Sequence, residues 1–325
     1  MNFEQRVFHC IKKNKLIAPR GLVLLGVSGG ADSMALLMSL NALRHDLGVQ
    51  IEVLHFNHRL RPESSKDEDF VRTWCGKLNI PLVTGQRSGG KIEHLSEDEA
   101  RQMRFGFFIK TARKRRAQVV ALAHTRNDLA ETVLMRLLRG SGLYGLRAIG
   151  LKRSIEGIDF VRPLMEMDRA EIESYLKAKK VSFCTDATNR QTVYERNKVR
   201  LKLLPLLARE YNPQITKVLV DLAATSVEDY DFVSRHAKRQ FDKLATVSKT
   251  RVKIALKDIK RQHPAIARLI LRQMAEGLTK DISALSFDHI HFLENLINDD
   301  GKSTLDLPHG LKAVKTKGSL ELHHA

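Results

Sequence analysis

Residues 28–33 could bind a phosphate group, because they place two glycines and two hydroxyls between a strand-like and a helix-like segment. The turn consists of Ser28, Gly29, Gly30, Ala31, Asp32 and Ser33. Adjacent glycines allow a close backbone approach, and free N–H groups at a helix N-terminus face an anion. Both serines can add hydroxyl donors. Asp32 would repel a phosphate unless a cation lay between them, so the segment implies Mg²⁺.

This turn differs from two other common phosphate-binding turns. The Walker A loop needs G-x-x-x-x-G-K-[ST], and residues 28–33 contain no lysine; the dinucleotide fingerprint G-x-G-x-x-G is also missing. An ordinary serine-capped strand–helix turn is the plain alternative. The sequence SGGxDS after a first strand resembles the signature of the ATP pyrophosphatases, or PP-loop proteins. That group cleaves ATP to AMP and pyrophosphate, usually by adenylating a substrate oxygen.

A second polar segment, residues 124–132, follows another strand-like run. Asp128 would lie in the first turn of a helix, and with Asp32 it supplies two carboxylates that suit Mg²⁺ bridging phosphate oxygens. The alternative is a helix cap, since Thr125-x-x-Asp128 is a capping-box pattern. Beside the 28–33 turn we favour a metal site. His124 could polarise a phosphate or a leaving group, or could simply be hydrogen-bonded.

Basic and imidazole side chains supply further candidates. Arg101 and Arg104 lie one helical turn apart and could hold phosphates, or could form a solvated basic face. His55 and His58 make a weak metal pair, so contact with adenine or ribose is the favoured interpretation. The i, i+4 pair Arg196 and Arg200 could clamp a phosphate of ATP or of RNA, or could be surface charge.

Strand-like and helix-like segments alternate through the first half of the chain. Strands are predicted at Leu22–Val27, Ile51–Phe56, Leu82–Thr84 and Val119–Ala123, with helices at Met34–Asp46, Ser65–Leu78 and Ser96–Lys114. This alternation predicts an α/β fold with a doubly wound parallel sheet, whose ligands bind at the carboxyl ends of the strands. Segments 28–33, 55–58 and 124–128 all follow strands, so one shared site is expected.

The later part of the chain is predicted to be mainly helical. A capping-box pattern at Asp168–Glu171 starts one helix, and Pro205 is expected to kink or break the segment Glu195–Glu210. Asn212-Pro213 predicts the start of a long helix. We therefore predict one domain over 1–211 and a second, mainly helical domain over 212–325, with a short strand-like segment at its C-terminal end.

Composition limits the class of protein. Lys+Arg 55 against Asp+Glu 37 gives a net charge of +18, which predicts binding to a polyanion such as nucleic acid; a merely basic surface is the alternative. Three scattered cysteines, Cys10, Cys75 and Cys184, form no C-x-x-C pair and predict neither a zinc or iron–sulfur site nor a disulfide framework. No apolar run has the length of a signal peptide or of a membrane span. A cytoplasmic protein is expected.

Several motifs occur together in one order. They are residues 28–33, His55-x-x-His58-x-Leu60-Arg61, Ala100-Arg101-x-x-Arg104-Phe105, His124-Thr-x-Asn-Asp128-x-x-Glu131-Thr132, Arg139-Gly-Ser-Gly-Leu143-x-Gly145-Leu146, Arg162-Pro-Leu164 and Arg196-Asn197-x-x-Arg200. The set resembles the tRNA(Ile)-lysidine synthetase family over roughly the first two-thirds of the chain. Phe105, Asn127 and Leu129 depart from residues common in that family. The chain is short for the family, and we expect it to lack the extra C-terminal RNA-binding unit of longer members.

The resemblance implies a PP-loop catalytic domain over 1–211, an adenine nucleotide α-hydrolase-like fold, and a tRNA-binding role for 212–325. ATP would adenylate the wobble cytidine of a CAU-anticodon isoleucine tRNA, and free L-lysine would then displace AMP. Residues 28–33 would hold the pyrophosphate end of ATP, and Asp32 and Asp128 would carry Mg²⁺. His124, Arg101, Arg196 and Arg200 would stabilise phosphoryl charge. A homodimer is left open.

Three rival functions fit parts of the sequence, and a feature of the sequence argues against each of them. A tRNA thiolase also adenylates a base oxygen, but its best-known cytidine version needs cysteine pairs that this chain lacks. An amidating ATP pyrophosphatase acting on a small molecule would not need the strongly basic charge. A non-catalytic tRNA-binding protein would not need both Asp32 and Asp128.

Overall fold

A computed structural model of the chain describes residues 1–59, 64–87, 96–184, 195–282, 284–299 and 303–324. The chain divides into two compact units, Met1–Ala224 and Thr225–Ala325. The predicted boundary after residue 211 therefore lies 13 residues before the observed division. A long helix, α10 (Ile215–Leu244), spans that division, so a helix start does not coincide with a unit boundary here.

The first unit contains a six-stranded sheet in the order β3-β2-β1-β4-β6-β5. Its strands are β1 (Leu22–Gly26), β2 (Gln50–Asn57), β3 (Leu82–Gln86), β4 (Val119–Ala121), β5 (Lys152–Ile155) and β6 (Ile158–Val161). Neighbouring strands are parallel except β5, which pairs antiparallel with β6. The doubly wound parallel sheet is confirmed, and the β5–β6 hairpin is an addition that the sequence did not predict.

Strand β1 is buried on both faces. Leu24 packs with Leu54 and Phe160 on one face, whereas its neighbours belong to the apolar cluster on the opposite face. Alternate residues of a strand point to opposite faces, so this division is the expected consequence of an apolar strand covered by helices on both sides.

Helices cover the sheet. Those of the first unit are α1 (Phe3–Lys13), α2 (Ala31–Leu47), α3 (Ser64–Leu78), α4 (Glu97–Arg115), α5 (Arg126–Leu138), α6 (Leu143–Leu146), α7 (Arg169–Ala178), α8 (Glu195–Lys198) and α9 (Leu204–Glu210). The predicted capping boxes at Ser96 and Asp168 are both formed. A π-helical turn at Val199–Leu203 joins α8 to α9, with Pro205 in the first turn of α9. Proline lacks the N–H of a regular helix, which accounts for the widened turn before it.

The second unit contains more sheet than the sequence indicated. Its elements after α10 are β7 (Ala245–Val247), β8 (Arg251–Ala255), α11 (Leu256–Lys260), α12 (Pro264–Thr279), α13 (Phe287–Asn298), β9 (Thr304–Leu307), β10 (Leu311–Lys315) and β11 (Ser319–His324). The strands form an antiparallel sheet in the order β7-β8-β11-β10-β9. Ile254, Leu271, Leu293 and Leu322 share its core with the helices. The second unit is mainly helical, as predicted, and its five-stranded sheet extends the short C-terminal strand-like segment that the sequence indicated.

Candidate active site

The strand order of the first sheet changes direction at β1, which pairs with β2 on one side and β4 on the other. The chain segments that leave β1 and β4 therefore separate and open a crevice at the carboxyl edge, the usual ligand site of such sheets. A cavity of about 820 Å³ lies there. It is lined by residues of the 28–33 loop, of the segment after β4 and of α5, together with Arg196 and Arg200.

The 28–33 loop is held in shape by Ser33. Its Oγ accepts the backbone N–H groups of Ser28 and Gly29, both at 3.1 Å, and donates to the Gly30 carbonyl at 2.9 Å. Gly29 has φ +95°, in the left-handed region that favours glycine. No side chain caps α2, whose first N–H groups have no partner within the helix. These N–H groups can bind an anion. The Ser33 hydroxyl, which the sequence suggested as a donor to phosphate, is hydrogen-bonded within the loop instead.

Asp32 lies at the start of α2 and lines the cavity. Its Oδ1 is buried and accepts no hydrogen bond from any residue that the structure describes. Burial, and then the charge of Asp128, raises the pKa of Asp32 to about 6. A carboxylate oxygen in this state would be stabilised by a bound cation.

Asp128 takes part in both arrangements that the sequence suggested. Its Oδ2 accepts the Thr125 N–H at 2.8 Å and the Thr125 hydroxyl at 3.0 Å, which completes the capping box of α5. Its Oδ1 accepts Nη2 of Arg196 at 2.7 Å and of Arg200 at 3.2 Å. Burial opposes ionisation, but the charge of Arg196, the hydrogen bond from the Thr125 N–H and the charge of Arg200 hold the pKa of Asp128 below its usual value. The side chain is therefore a buried carboxylate within an ion-pair network.

Glu131 completes this network and was not among the site residues predicted from sequence. It is 1% exposed, and its carboxylate accepts Arg196 Nε at 2.9 Å and Arg200 Nη2 at 2.9 Å. The i, i+3 spacing from Asp128 places both carboxylates on one face of α5. This spacing, together with the i, i+4 spacing of the two arginines, is the signal in the sequence from which the ion-pair network could have been predicted. The two arginines thus contact carboxylates, in addition to lining the cavity.

The three histidines predicted as site residues have different surroundings. His124 Nδ1 is buried and has no hydrogen-bond partner among the described residues, and burial lowers the pKa of His124, so it is neutral at pH 7. His58 lines the cavity. Burial, then the charge of Arg104, lowers the pKa of His58 to about 4. His55 is 4% exposed, and its Nδ1 lies 2.9 Å from the Val27 carbonyl, so it supports the chain entering the phosphate loop.

Two further arginines approach the cavity. Arg104, rather than Arg101, is among its lining residues, while the Arg101 guanidinium lies 5.0 Å from the ring centre of Phe105. Arg169 lines the cavity at the start of α7, and its charge lowers the pKa of Asp32 against the larger effect of burial. The sequence pattern at residues 168–171 predicts only a helix cap. Nothing in that pattern indicates that Arg169 lies near the strand ends that form the cavity.

The donor set fits Mg²⁺ in part. The Asp32 oxygen without a partner is a suitable ligand, whereas Asp128 Oδ1 already accepts two guanidinium groups. Within the described part of the chain, no three His, Cys, Asp or Glu side chains form a ready metal site. Asp32 is thus the principal ligand that the protein would supply, with ATP phosphates and water completing the shell of an octahedral cation.

Comparison with known proteins identifies the family of the fold. Residues 1–207 match the PP-loop domain family, so the fold is that of a PP-loop protein that binds ATP. A tRNA(Ile)-lysidine synthase from Caldanaerobacter subterraneus is 33% identical to this chain over 97% of its length and 68% of that protein. A second tRNA(Ile)-lysidine synthase, from Clostridioides difficile, is 33% identical; the match covers 98% of this chain and 70% of that protein. The chain belongs to the tRNA(Ile)-lysidine synthase family.

A solved structure shares the fold at low sequence identity. The U34-tRNA thiolase NcsA from Methanococcus maripaludis, which holds a [4Fe-4S] cluster, has a TM-score of 0.58 and 14% identity; the match covers 69% of this chain and 78% of that one. In this chain Cys10 and Cys75 are free thiols buried in the core. None of the helices that the structure describes has the length and apolar character needed to span a bilayer.

Proposed function

We propose that this protein joins L-lysine to the wobble cytidine of a CAU-anticodon isoleucine tRNA, with ATP as the activating substrate. The observation that carries the proposal is the crevice between β1 and β4, where the 28–33 loop and Asp32 meet Arg196 and Arg200. Family membership supports the choice of tRNA and lysine, and the net charge of +18 supports a nucleic-acid substrate. We expect the reaction to take place in the cytoplasm.

The first step transfers AMP. An oxygen of the cytidine base attacks the α-phosphate of ATP, and the bond to the β-phosphate breaks, releasing pyrophosphate. The N–H groups at the start of α2 would hold the departing pyrophosphate. Mg²⁺ held by Asp32 would neutralise its developing charge. Arg196 and Arg200 would stabilise phosphoryl charge while Glu131 and Asp128 keep them in position.

The second step replaces AMP with lysine. The lysine amine attacks the activated base carbon, AMP leaves with the bonding electron pair, and the amine loses a proton. The proton passes to solvent, because burial lowers the pKa of His124 and makes its imidazole a weak base. Neutral His124 lines the cavity, where it would contact a phosphate or the leaving group. Neither step needs a covalent enzyme intermediate, because the tRNA base and lysine supply both nucleophiles.

The proposal is tested with purified protein, a CAU-anticodon isoleucine tRNA transcript, ATP, Mg²⁺ and labelled lysine. We expect labelled lysine in the tRNA and one AMP and one pyrophosphate for each lysine joined. Absence of label in a tRNA that a known synthase modifies would contradict the proposal. Sulfur transfer would instead indicate thiolation, and tRNA binding without pyrophosphate release would indicate a binding protein. Whether the protein forms a homodimer is tested separately by sedimentation.

Asp32→Asn is the decisive variant for the site. We expect it to abolish pyrophosphate release while tRNA affinity stays close to that of the unchanged protein. Asp46→Asn is the matched control, since Asp46 is an exposed carboxylate at the other end of α2. Equal loss of activity in both variants would mean that the effect reflects general charge and not the site.

A further inference from the structure

Five arginines form a cluster beside the active-site cavity, and the two steps described above do not use their side chains. The arginine cluster consists of Arg101 on α4, Arg136 on α5, Arg147 after α6, Arg153 on β5 and Arg162 after β6. Arg153 pairs across the hairpin with Phe160, and Phe160 packs 4.7 Å from Phe105, centre to centre. The hairpin is thereby held against the helix that carries Arg101.

Arg162 is the buried member of the cluster. It is 3% exposed, and its Nη1 donates to the Gly150 carbonyl at 2.7 Å. Its Nε is buried and has no hydrogen-bond partner among the residues described. Burial, then the charges of Arg101 and Arg153, lowers the pKa of Arg162 to about 10, so it remains a cation at neutral pH.

Three members of the arginine cluster have no ion-pair partner in the described part of the chain. Within the described ranges, no ion pair joins Arg136, Arg153 or Arg162 to an acidic side chain. Burial opposes the charge of Arg136, and Arg147, Arg153 and Arg101 lower its pKa as well. Like charges gathered at partly desolvated positions repel one another, so the arrangement would gain stability from an anionic ligand.

An exposed aromatic side chain lies next to the arginine cluster. Tyr144 is 40% exposed, and the Arg147 guanidinium lies 4.4 Å from the centre of its ring. Arg136 donates to the Gly145 carbonyl, which ties the short helix α6 to α5. A Cβ on Gly145 would lie 2.5 Å from Ser141 Cβ, so this turn is closely packed. Tyr144 is therefore an exposed ring on a well-supported turn.

We propose that the arginine cluster and Tyr144 bind an unpaired segment of the RNA substrate, with arginines on its phosphodiester groups and a base stacked on the Tyr144 ring. This inference rests on the proposed function. Arginine contacts with phosphates, together with an exposed aromatic ring, are typical of single-stranded RNA recognition. A free inorganic anion would use the charges but would have no need of the ring.

The position of the surface indicates which part of the RNA it binds. Arg162 follows Val161, which pairs with Ala121 and accepts the Leu122 N–H, so it lies beside the segment that leads to His124 and the cavity. The charges of Arg162 and Arg101 accordingly lower the pKa of His124, in addition to the larger effect of burial. Arg136 lies on the same helix as Asp128 and Glu131. A target base must leave its stack to reach a buried cavity. The nucleotides next to that base, in the anticodon loop, are therefore the ones assigned to this surface.

The test uses the full-length protein and an unmodified CAU-anticodon tRNA transcript, with affinity measured over a series of KCl concentrations. Tyr144→Ala is expected to weaken binding about 5- to 150-fold, as loss of one stacked base of 1–3 kcal/mol would do. Arg153→Gln should weaken binding and lower the slope of log affinity against log salt by about 0.7, the loss of one phosphate contact. ATP affinity should be unchanged in both.

Two controls separate this site from general effects. Arg116→Gln removes the same charge from an exposed arginine at the C-terminal end of α4 and should bind tRNA like the unchanged protein. Tyr144→Phe keeps the ring and should retain the affinity that Tyr144→Ala loses.

The results separate failure of this inference from failure of the proposed function. If the unchanged protein joins lysine to tRNA and both Tyr144→Ala and Arg153→Gln bind tRNA normally, the RNA surface is wrong and the function stands. If Arg153→Gln alone weakens binding, the cluster supplies only general attraction and the stacking assignment is wrong. If the unchanged protein neither binds nor modifies the tRNA, the proposed function itself fails.

Discussion

Asp128 combines two tasks that are usually assigned to different side chains. One oxygen caps α5 through Thr125, and the other accepts Arg196 and Arg200. The cap fixes the direction of the carboxylate, so the arginines on a distant part of the chain find a preorganised acceptor. Preorganised charge of this kind stabilises developing charge without rearrangement at the moment of reaction.

Glu131 should be important for stability as well as for activity. Glu131→Gln removes a buried charge that two guanidinium groups share, so we expect the free energy of unfolding to fall by about 2 kcal/mol and Tm by roughly 5 °C. The rate of pyrophosphate release should also fall, because Arg196 and Arg200 lose an anchor. Glu156→Gln is the control, since its pair with Arg113 is more than half exposed and contributes less than about 1 kcal/mol. Equal Tm values for the two variants would contradict the buried network.

His58 should make the ligand-free protein less stable in mild acid. Burial, then the charge of Arg104, lowers the pKa of His58 to about 4 from an ordinary 6.5, so between these values the unfolded chain binds a proton that the folded chain does not. Stability is thus fully present above about pH 6.5 and is lost as pH falls toward 4. His58→Gln should flatten part of this dependence of Tm on pH, with His124 retaining the rest. His9→Gln, an exposed histidine on α1, should leave the profile unchanged; an unchanged profile in His58→Gln would contradict the assignment.

At the residue scale, the sequence predicted which residues belong to the site better than it predicted which side chains contact one another. Asp32 could be chosen from its neighbours in the chain, because a glycine turn before a helix is a local pattern. The partners of Arg196 could not, because Asp128 and Glu131 lie more than sixty residues away and only the fold brings them together. Ser33 is a different case, because its partners are Ser28, Gly29 and Gly30 in the same turn, and only the conformation of the loop decides whether the hydroxyl bonds within it or faces a phosphate.

At the scale of elements, the loops after β1 and β4 place the site. β1 is the central strand whose neighbours are β2 and β4, and parallel pairing puts the ends of all three at one edge. The 28–33 loop and the start of α5 therefore meet without any long insertion. The alternation of strands and helices in the sequence was sufficient to predict this, since parallel sheets need such crossovers.

Short elements were harder to predict. The strands β5 and β6 have four residues each, and the hairpin turn between them contains Glu156 and Gly157, both at positive φ. Four residues carry too little periodicity to be separated from a loop. The five-stranded sheet of the second unit is predicted only in part, as a short C-terminal strand-like segment, for a related reason. Antiparallel strands show one buried face, as the alternating burial of β8 does, and each strand here is only three to six residues long.

The turn between α5 and α6 offers a test at this scale. Gly145→Ala would place a Cβ 2.5 Å from Ser141 Cβ, so the turn must move, and helix α6 with Tyr144 must move with it. We expect a raised KM for tRNA with little change in the KM for ATP. Gly142→Ala is the matched control, because a Cβ there meets nothing within 4 Å and its φ of −77° suits alanine. A raised KM for ATP in Gly145→Ala would mean that the turn supports the nucleotide site instead.

At the scale of the whole molecule, the two units have separate cores. Leu24, Leu25 and Leu54 belong to the sheet of the first unit, whereas Val252 and Leu322 belong to that of the second. Among the residues that the structure describes, those lining the cavity lie between Gly26 and Leu201, within the first unit. The described lining of this cavity therefore includes no residue from Thr225 onward.

This separation predicts that ATP stabilises one part of the chain. A ligand that binds only the folded state stabilises it by RT ln(1 + [L]/Kd), about 2.7 kcal/mol at a hundredfold excess over Kd. With ATP and Mg²⁺ added, amide hydrogen exchange should slow by up to about a hundredfold at Leu24 and Leu25, and should change little at Val252 and Leu322. Mg²⁺ alone is the control. Equal slowing in both sheets would mean that the units unfold together, and no slowing in either would contradict ATP binding in the crevice between β1 and β4.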